Sequence, residues 1–266
     1  MSYDEYGKIL SSQDAMNLYD HPAIYDLEYE TQTEDVVFYV KMAHKYGGPV
    51  LELGCGNGRI TLPIARSGID VVGLDNNASM LRHFQEKRHS EPDSIASRVS
   101  CVEGDYRHCQ LNTKFQTVLL PFNALHHCQS HHDVLALLSA VRTHLQPGGT
   151  FILDCYLPDP VLYQRDPSRR YAEQTMVHPR THRTLTSWET SRYDALSQVH
   201  HVTYTYQEEC GEPWSVHLNL RMFYPQELRA LIDLGGFEIV AEHADFRGSP
   251  LTGDALKWVM ILKEKR

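Results

Sequence analysis

The sequence predicts an α/β protein with a doubly wound, mostly parallel β-sheet and a small antiparallel β insert. Three observations lead to this prediction. Apolar runs typical of buried strands alternate with helical patterns through the first 150 residues. A glycine-rich turn, Gly54 to Gly58, follows the first of these apolar runs. Beyond Pro158 the pattern changes to the two-residue period that is typical of antiparallel strands.

Strands and helices alternate along the predicted sheet, after a helical N-terminal segment over residues 11–46. Apolar side chains in that segment fit an amphipathic helix that ends at Gly47, and they are Val36, Val37, Val40 and Ala43. The predicted strands of the sheet are 50–53, 69–74, 98–103, 115–120, 150–153, 237–242 and 257–263. The predicted helices are 58–67, 78–87, 134–145 and 225–234.

The insert is predicted from three alternating segments, 183–193, 197–209 and 214–224. In the last segment, apolar side chains from Trp214 to Met222 share one face and polar side chains share the other. The turn over residues 210–213 contains Gly and Pro and suits a hairpin. We therefore expect an antiparallel sheet inserted into the α/β domain.

Composition excludes some classes of function. The net charge is −9 and no run of Lys or Arg forms a basic stripe, which argues against a nucleic-acid partner. No apolar run approaches the roughly 20 residues needed to cross a membrane, and the N-terminus lacks a signal-peptide pattern. The six cysteines are scattered, as in a protein with reduced thiols. We expect a cytoplasmic monomer or homodimer with no membrane partner.

The glycine turn and an acid indicate a nucleoside-binding site. Gly54, Gly56 and Gly58 let the backbone approach a ligand closely, and Asp75 ends the second apolar run, where it can accept hydrogen bonds from a ribose. The dinucleotide fingerprint would place a third glycine at Arg59. An NAD-dependent oxidoreductase is therefore the less favoured interpretation.

The run from Glu52 to Gly58 resembles the first motif of class I S-adenosylmethionine (SAM) methyltransferases. Further motifs of the family follow in order, and they are Asp75-Asn76, Gly104-Asp105-Tyr106, Leu120-Pro121-Phe122-Asn123 and Leu145-Gln146-Pro147-Gly148-Gly149. The resemblance implies a Rossmann-like, seven-stranded sheet and SAM as cofactor. The insert is similar to that of small-molecule N-methyltransferases of the amino-sugar or glycine type, and this finer likeness alone favours nitrogen over oxygen as the acceptor.

The family also implies a division of the chain. Residues 1–46 would form a lid, residues 47–157 and 225–266 the SAM-binding core, and residues 158–224 the insert that covers an acceptor pocket. The residues expected to bind the cofactor are Tyr25, Glu52, Gly54, Cys55, Gly56, Asn57, Gly58, Asp75, Asn76, Met80, Gly104, Asp105, Tyr106, Pro121 and Phe122.

Catalytic candidates follow from the chemistry of methyl transfer. A sulfonium methyl passes to a nucleophile by in-line displacement, so alignment and exclusion of water provide much of the rate gain. His127 aligns best with a His of the amino-sugar enzymes and is the candidate general base, with His126 beside it. Tyr25 lies in a segment that resembles the family's cofactor cover and could orient the methyl group.

The acceptor is expected near the carboxyl ends of the strands and the polar face of the insert. The candidate residues are Tyr29, Asn123, Asp154, Tyr156 and Arg221. No metal is expected, because no Cys or acid completes a zinc pattern around His126, His127, His131 and His132. The alternative to an enzyme acting on a small-molecule methyl acceptor is a non-catalytic SAM-binding sensor or scaffold.

Overall fold

The N-terminal segment is divided into short helices. The computed structural model describes residues 17–178 and 181–265, so the start of the expected N-terminal helix, residues 11–16, lies outside the described residues. A 3₁₀ turn over Leu18–Asp20 precedes helix α1 (Pro22–Tyr29) and helix α2 (Glu34–Tyr46). Pro22 at the first position of α1 starts a new helix, because its fixed φ suits that position and it lacks the N–H that a helix interior requires.

Strands and helices alternate over most of the chain. The strands are β1 (Val50–Leu53), β2 (Val71–Asp75), β3 (Val99–Glu103), β4 (Phe115–Leu120), β5 (Leu145–Tyr156), β6 (Tyr171–Val177), β7 (Thr184–Asp194), β8 (Val199–Glu208), β9 (Trp214–Arg221), β10 (Phe237–His243) and β11 (Lys257–Glu264). The further helices are α3 (Thr61–Arg66), α4 (Ala78–His89), α5 (Asp93–Ala96), α6 (His131–His144), α7 (Pro160–Tyr163) and α8 (Pro225–Leu234).

Seven strands form the central sheet, in the order β10-β11-β5-β4-β1-β2-β3. The five strands from β5 to β3 are parallel, whereas β11 runs antiparallel to β5 and to β10. This arrangement confirms the predicted doubly wound, mostly parallel seven-stranded sheet. Its strand order reverses between β4 and β1, and ligands of such sheets bind outside the carboxyl ends of the strands at that point.

Each face of the central sheet is covered by an apolar layer. Buried side chains of α6 and α8 pack on one face, around Phe151 and Leu137. Side chains of α2, α3 and α4 pack on the other face, around Tyr39 and Phe84. The strands carry near-continuous apolar runs because both faces are buried, which explains why the sequence pattern located them well.

The antiparallel insert is a separate four-stranded sheet with the order β6-β7-β8-β9. Three of its strands follow the predicted segments, and the hairpin between β8 and β9 lies where the turn signal placed it. The fourth, β6, was not predicted, because most of its side chains are exposed and give no apolar alternation. No helix in the described part of the chain is long and apolar enough to span a membrane.

Candidate active site

A cavity lies where the strand order of the central sheet reverses. Most of its walls come from the segments that follow β1, β2, β3 and β4, and the N-terminal segment adds residues in and before α1. The lining residues are Asn17, Tyr19, Tyr25, Gly54, Gly56, Asp75, Asn76, Met80, Asp105, Tyr106, Arg107, Pro121, Phe122, Ala124 and His127. Eleven of these fifteen residues are ones that the sequence singled out. The other four, Asn17, Tyr19, Arg107 and Ala124, were not among the predicted site residues.

The glycine turn leaves open space along one wall of this cavity. Gly54 and Gly56 have φ angles of 71° and 54°, which L side chains rarely adopt. A Cβ added at Gly56 would lie 3.7 Å from the Cε atom of Met80, so a side chain at this position would occupy the open space beside the glycine turn. Gly58 is required for packing instead, because its Cβ would come within 2.4 Å of the Phe84 ring.

Asp75 joins the glycine turn to the end of β2. Its Oδ2 accepts a hydrogen bond from the Gly56 backbone N–H at 2.7 Å, and its Oδ1 accepts one from the Asn77 N–H at 2.8 Å. Burial raises the pKa of Asp75, and these backbone donors oppose the rise. Each carboxylate oxygen keeps further acceptor capacity. Asp75 can therefore hold the turn and still accept hydrogen bonds from a ligand in the cavity.

Asp105 is fixed by an arginine that was not among the predicted site residues. Arg107 Nη2 lies 2.6 Å from Asp105 Oδ2, and the same guanidinium reaches Asp133 at 3.0 Å. Hydrogen bonds from Arg107 lower the pKa of Asp105, so the carboxylate stays ionised. Both residues line the cavity. The sequence offered one indication of this ion pair, the spacing of two residues between Asp105 and Arg107.

The chemistry of these walls fits SAM. Gly54 and Gly56 offer close backbone approach, while Asp75 and Asp105 offer carboxylate acceptors for polar groups of a nucleoside. Met80 adds an apolar side chain to the same wall. Among the described residues, no three His, Cys, Asp or Glu side chains come together in a metal-binding group.

Five residues predicted to bind the cofactor lie outside the cavity lining, and they are Glu52, Cys55, Asn57, Gly58 and Gly104. Glu52 is buried in β1 and accepts a hydrogen bond from the Thr61 hydroxyl, and burial raises its pKa to about 8. Asn57 donates a hydrogen bond to Asp26 of α1 at 2.7 Å. Glu52 therefore binds the start of α3, and Asn57 attaches α1 to the glycine turn.

The two neighbouring histidines have different surroundings. His126 is fully buried, its Nδ1 donates to the Arg221 carbonyl at 2.7 Å, and its Nε2 accepts from the Tyr156 N–H at 2.9 Å. Because both ring nitrogens are engaged, His126 joins β5, β9 and the segment after β4, and it does not line the cavity. His127 does line the cavity, and its Nε2 lies 2.8 Å from the Tyr19 hydroxyl. Burial lowers the pKa of both rings to about 4.

Phe122 and Asn123 adopt an unusual backbone at the end of β4. Their φ angles are 56° and 61°, in the left-handed region that costs a non-glycine residue free energy. The Phe122 N–H donates to Asp154 Oδ1 at 2.8 Å, and Lys257 Nζ lies 3.0 Å from Asp154 Oδ2. Tyr39 also donates to Asp154 Oδ1, at 2.7 Å. Asp154, predicted to contact the acceptor, thus holds the Phe122 backbone and is itself held by Tyr39 and Lys257.

A second cavity lies beside Phe122. Asn123, Tyr156 and Lys257 line it, together with residues that follow α1 and residues 244–246. Two predicted acceptor residues, Asn123 and Tyr156, therefore face one space, and Tyr156 is 46% exposed. The predicted acceptor residue Arg221 is buried elsewhere, where its guanidinium binds Gln198 and Glu227.

Helix α1 places aromatic rings over the cofactor cavity. Tyr29 packs against Phe122 with ring centroids 5.0 Å apart, and Tyr25 lies 4.6 Å from Tyr29. Tyr25 lines the cavity, whereas Tyr29 lies behind it against Phe122. Asp26 ties this helix to the core, because its carboxylate binds Asn57, His83 and Lys87 at 2.6–2.7 Å.

Comparisons with known proteins identify a methyltransferase domain in this chain. Residues 50–149 match a protein family described as "Methyltransferase domain". Over 231 residues the chain is 25% identical to the cypemycin N-terminal methyltransferase of a Streptomyces species, covering 82% of this chain and 84% of that protein.

Two solved structures share the fold. The CcbJ methyltransferase from Streptomyces caelestis has a TM-score of 0.76 at 23% identity, covering 94% of this chain and 99% of that one. The glycopeptide N-methyltransferase MtfA complexed with SAM has a TM-score of 0.60 at 22% identity, covering 90% of each chain. At these identities the structural likeness shows the fold alone.

Proposed function

Because this chain is a class I SAM-dependent methyltransferase, we propose that it methylates an amine nitrogen of a small-molecule or peptide acceptor held beside Phe122. The cofactor and enzyme class agree with the expectation from the sequence motifs. The acceptor position, the proton acceptor and the choice of nitrogen are the proposed part.

One observation carries the acceptor position. Phe122 lines both the cofactor cavity and the second cavity beside Asn123 and Tyr156. Arg59 lies over the Phe122 ring, with its guanidinium carbon 4.4 Å from the centroid, and Tyr29 packs against the same ring. The Phe122 ring is therefore held in place between the two cavities. An acceptor in the second cavity would lie next to the cofactor.

The chain's own residues would bind the cofactor, orient the reacting groups and exclude water from them. SAM supplies an electrophilic methyl group when it is bound. Gly54, Gly56 and Asp75 would hold the nucleoside part, while Tyr25 and Phe122 would keep water from the reacting atoms. Holding donor and acceptor in line can supply a large part of the rate gain at such a site.

Tyr19 and His127 are the proposed route for a proton. Burial lowers the pKa of His127 and keeps the ring neutral at pH 7, so its Nε2 can accept a hydrogen bond from the Tyr19 hydroxyl. The Tyr19 oxygen then has lone pairs free for an N–H of the acceptor. Tyr25 lies 6.0 Å from Tyr19 between ring centroids and would orient the reacting groups.

Nitrogen is proposed as the acceptor atom for two reasons. Two of the proteins that this chain resembles are N-methyltransferases by name, one of cypemycin at its N-terminus and one of a glycopeptide. An amine also carries its own lone pair, so it needs a weaker base than an alcohol does. Cytoplasmic location, the lid and insert boundaries, and the choice between monomer and homodimer stay predictions from the sequence.

A methyl-transfer assay tests this function. Purified protein is incubated with SAM and a panel of amines, alcohols and carboxylic acids, and S-adenosylhomocysteine formation is measured. We expect turnover with at least one amine, reduced in Phe122→Ala, and unchanged in the exposed control Asp70→Asn. SAM binding without turnover of any panel member would contradict the proposal and support a SAM-binding sensor.

A further inference from the structure

Glu28 of α1 has a half-buried side chain whose carboxyl group is only partly paired. Its Oε1 accepts a hydrogen bond from the Tyr206 hydroxyl at 2.7 Å, which links α1 to β8. Its Oε2 is buried and has no hydrogen-bond partner in residues 17–178 and 181–265. A buried carboxylate without a partner destabilises a protein unless a donor or a positive charge reaches it.

No cation of the described chain supplies that charge. Glu28 forms no ion pair with any Lys, Arg or His among the described residues. Burial raises the pKa of Glu28, and the Tyr206 hydrogen bond opposes the rise. Glu189 on β7 gives a useful contrast, because Arg165 already pairs with it.

Two more tyrosines, Tyr29 and Tyr204, belong to the same two elements as Glu28 and Tyr206. Tyr29 follows Glu28 in the helix, and Tyr204 lies on β8, two residues before Tyr206. Burial raises the pKa of both tyrosines, and the negative charge of Glu28 adds to the rise. Neither hydroxyl forms a hydrogen bond to another residue in the described part of the chain.

Tyr29 connects Glu28 to the proposed reaction site. The Tyr29 ring lies 5.0 Å from the ring of Phe122, the residue that lines both cavities. Aromatic faces attract organic cations, and a nearby carboxylate strengthens that attraction. A carboxylate oxygen without a partner, beside two free hydroxyls and several aromatic faces, is suited to an alkylammonium group.

We propose that Glu28 recognises a positively charged amino group of the methyl acceptor, with Tyr29 and Tyr204 beside it. The inference rests on the proposed function and makes it more specific, because it selects acceptors that are cationic at neutral pH. Glu28 is a recognition residue in this proposal. Where the bound ammonium is itself the methylated nitrogen, it must lose a proton before its lone pair can take the methyl group, and Tyr19 and His127 remain the proposed route for that proton. Neutral alcohols and carboxylic acids of the same shape are disfavoured at this site.

A pair of probes with one shape and different charge tests the proposal. Benzylammonium and benzyl alcohol are titrated into the S-adenosylhomocysteine-loaded protein at pH 7, with ligand-observed NMR as the readout. We expect the wild type to bind benzylammonium about 10-fold or more tightly than benzyl alcohol, as for a charged hydrogen bond. Glu28→Gln should remove this preference, whereas Glu30→Gln, an exposed acid at the end of the same helix, should retain it.

The wild-type comparison alone can overturn the proposal. Equal binding of the two probes, or binding of neither, contradicts recognition by Glu28, and so does a Glu28→Gln variant that keeps the preference. Thermal unfolding and calorimetric titration with S-adenosylhomocysteine check that the variant is folded. Tyr206→Phe keeps the charge and should keep the preference. A wild type that prefers the cation but methylates no acceptor would contradict the proposed function alone.

Discussion

The Tyr19 hydroxyl and His127 Nε2 lie 2.8 Å apart although 108 positions separate them in the chain. If this pair receives the acceptor's proton, Tyr19→Phe and His127→Ala should each lower kcat by about 100-fold, a typical loss for a general base. The dissociation constant of SAM should change little. Methyl-transfer kinetics and calorimetry on the same preparations measure both quantities.

A matched control for this pair is His132→Ala, since His132 is exposed at the start of α6. It should leave kcat unchanged. Full activity in either Tyr19→Phe or His127→Ala would remove the pair from the mechanism. Equal loss of SAM affinity and kcat would indicate that the pair shapes the cavity and takes no proton.

Acid should destabilise the protein through its buried histidines. Burial lowers the pKa of His126 and His127 to about 4 from an ordinary value of 6.5, so the unfolded chain binds more protons between these values. Stability from this source is complete above pH 6.5 and decreases as the pH falls toward 4. Lowering the pH from 7.5 to 5 should decrease the unfolding free energy by roughly 2 kcal/mol for each histidine.

Urea unfolding at pH 7.5, 6 and 5 measures this dependence. His126→Gln should reduce the slope, because one titrating group is lost, even though the variant is less stable at pH 7.5. An unfolding free energy that stays constant over this range would show that the two rings do not titrate as their burial implies.

The Asp75 carboxylate should contribute strongly to cofactor affinity. It accepts hydrogen bonds from the Gly56 and Asn77 backbone and faces the cavity, so Asp75→Asn removes an acceptor and disturbs the turn. We expect the dissociation constant of SAM to rise about 10-fold or more, as when a charged hydrogen bond is lost. The control Asp70→Asn changes an exposed acid just before the same strand. Equal affinities for SAM in the two variants would refute the assignment.

The lid should release the cofactor faster when its attachment is weakened. Asp26 binds Asn57, His83 and Lys87, but its side chain is 34% exposed, so solvent weakens each ion pair. Asp26→Asn should therefore speed S-adenosylhomocysteine release by a few-fold, on the order expected from a contribution of about 1 kcal/mol. Stopped-flow displacement measures the rate, with Glu30→Gln as control. An unchanged rate would show that α1 does not limit release.

Local patterns predicted the central sheet well, since buried strands and the glycine turn are encoded by neighbouring residues. Strand β6 escaped prediction because its exposed side chains carry no alternation. The cavity residues that follow β1, β2 and β4 could be inferred because the carboxyl ends of parallel strands meet at one edge.

Contacts between distant parts of the chain could not be predicted in the same way. Asp154 looked like a ligand because it lies near the end of β5, but Lys257 of the C-terminal strand pairs with it. His126 and His127 are adjacent in sequence, yet only the latter lines the cavity, because the 3₁₀ turn over Ala124–His127 points them differently. Tyr19 and His127 are brought together by packing of the N-terminal segment on the turn after β4, which no local pattern encodes.

A crystal structure of the protein with S-adenosylhomocysteine tests the central claim most directly. We expect the nucleoside between Gly56 and Asp75, with the sulfur toward Tyr19, His127 and Phe122 and the second cavity open beyond Phe122. The ligand bound elsewhere, or its sulfur facing away from Phe122, would contradict both the cofactor site and the proposed position of the acceptor.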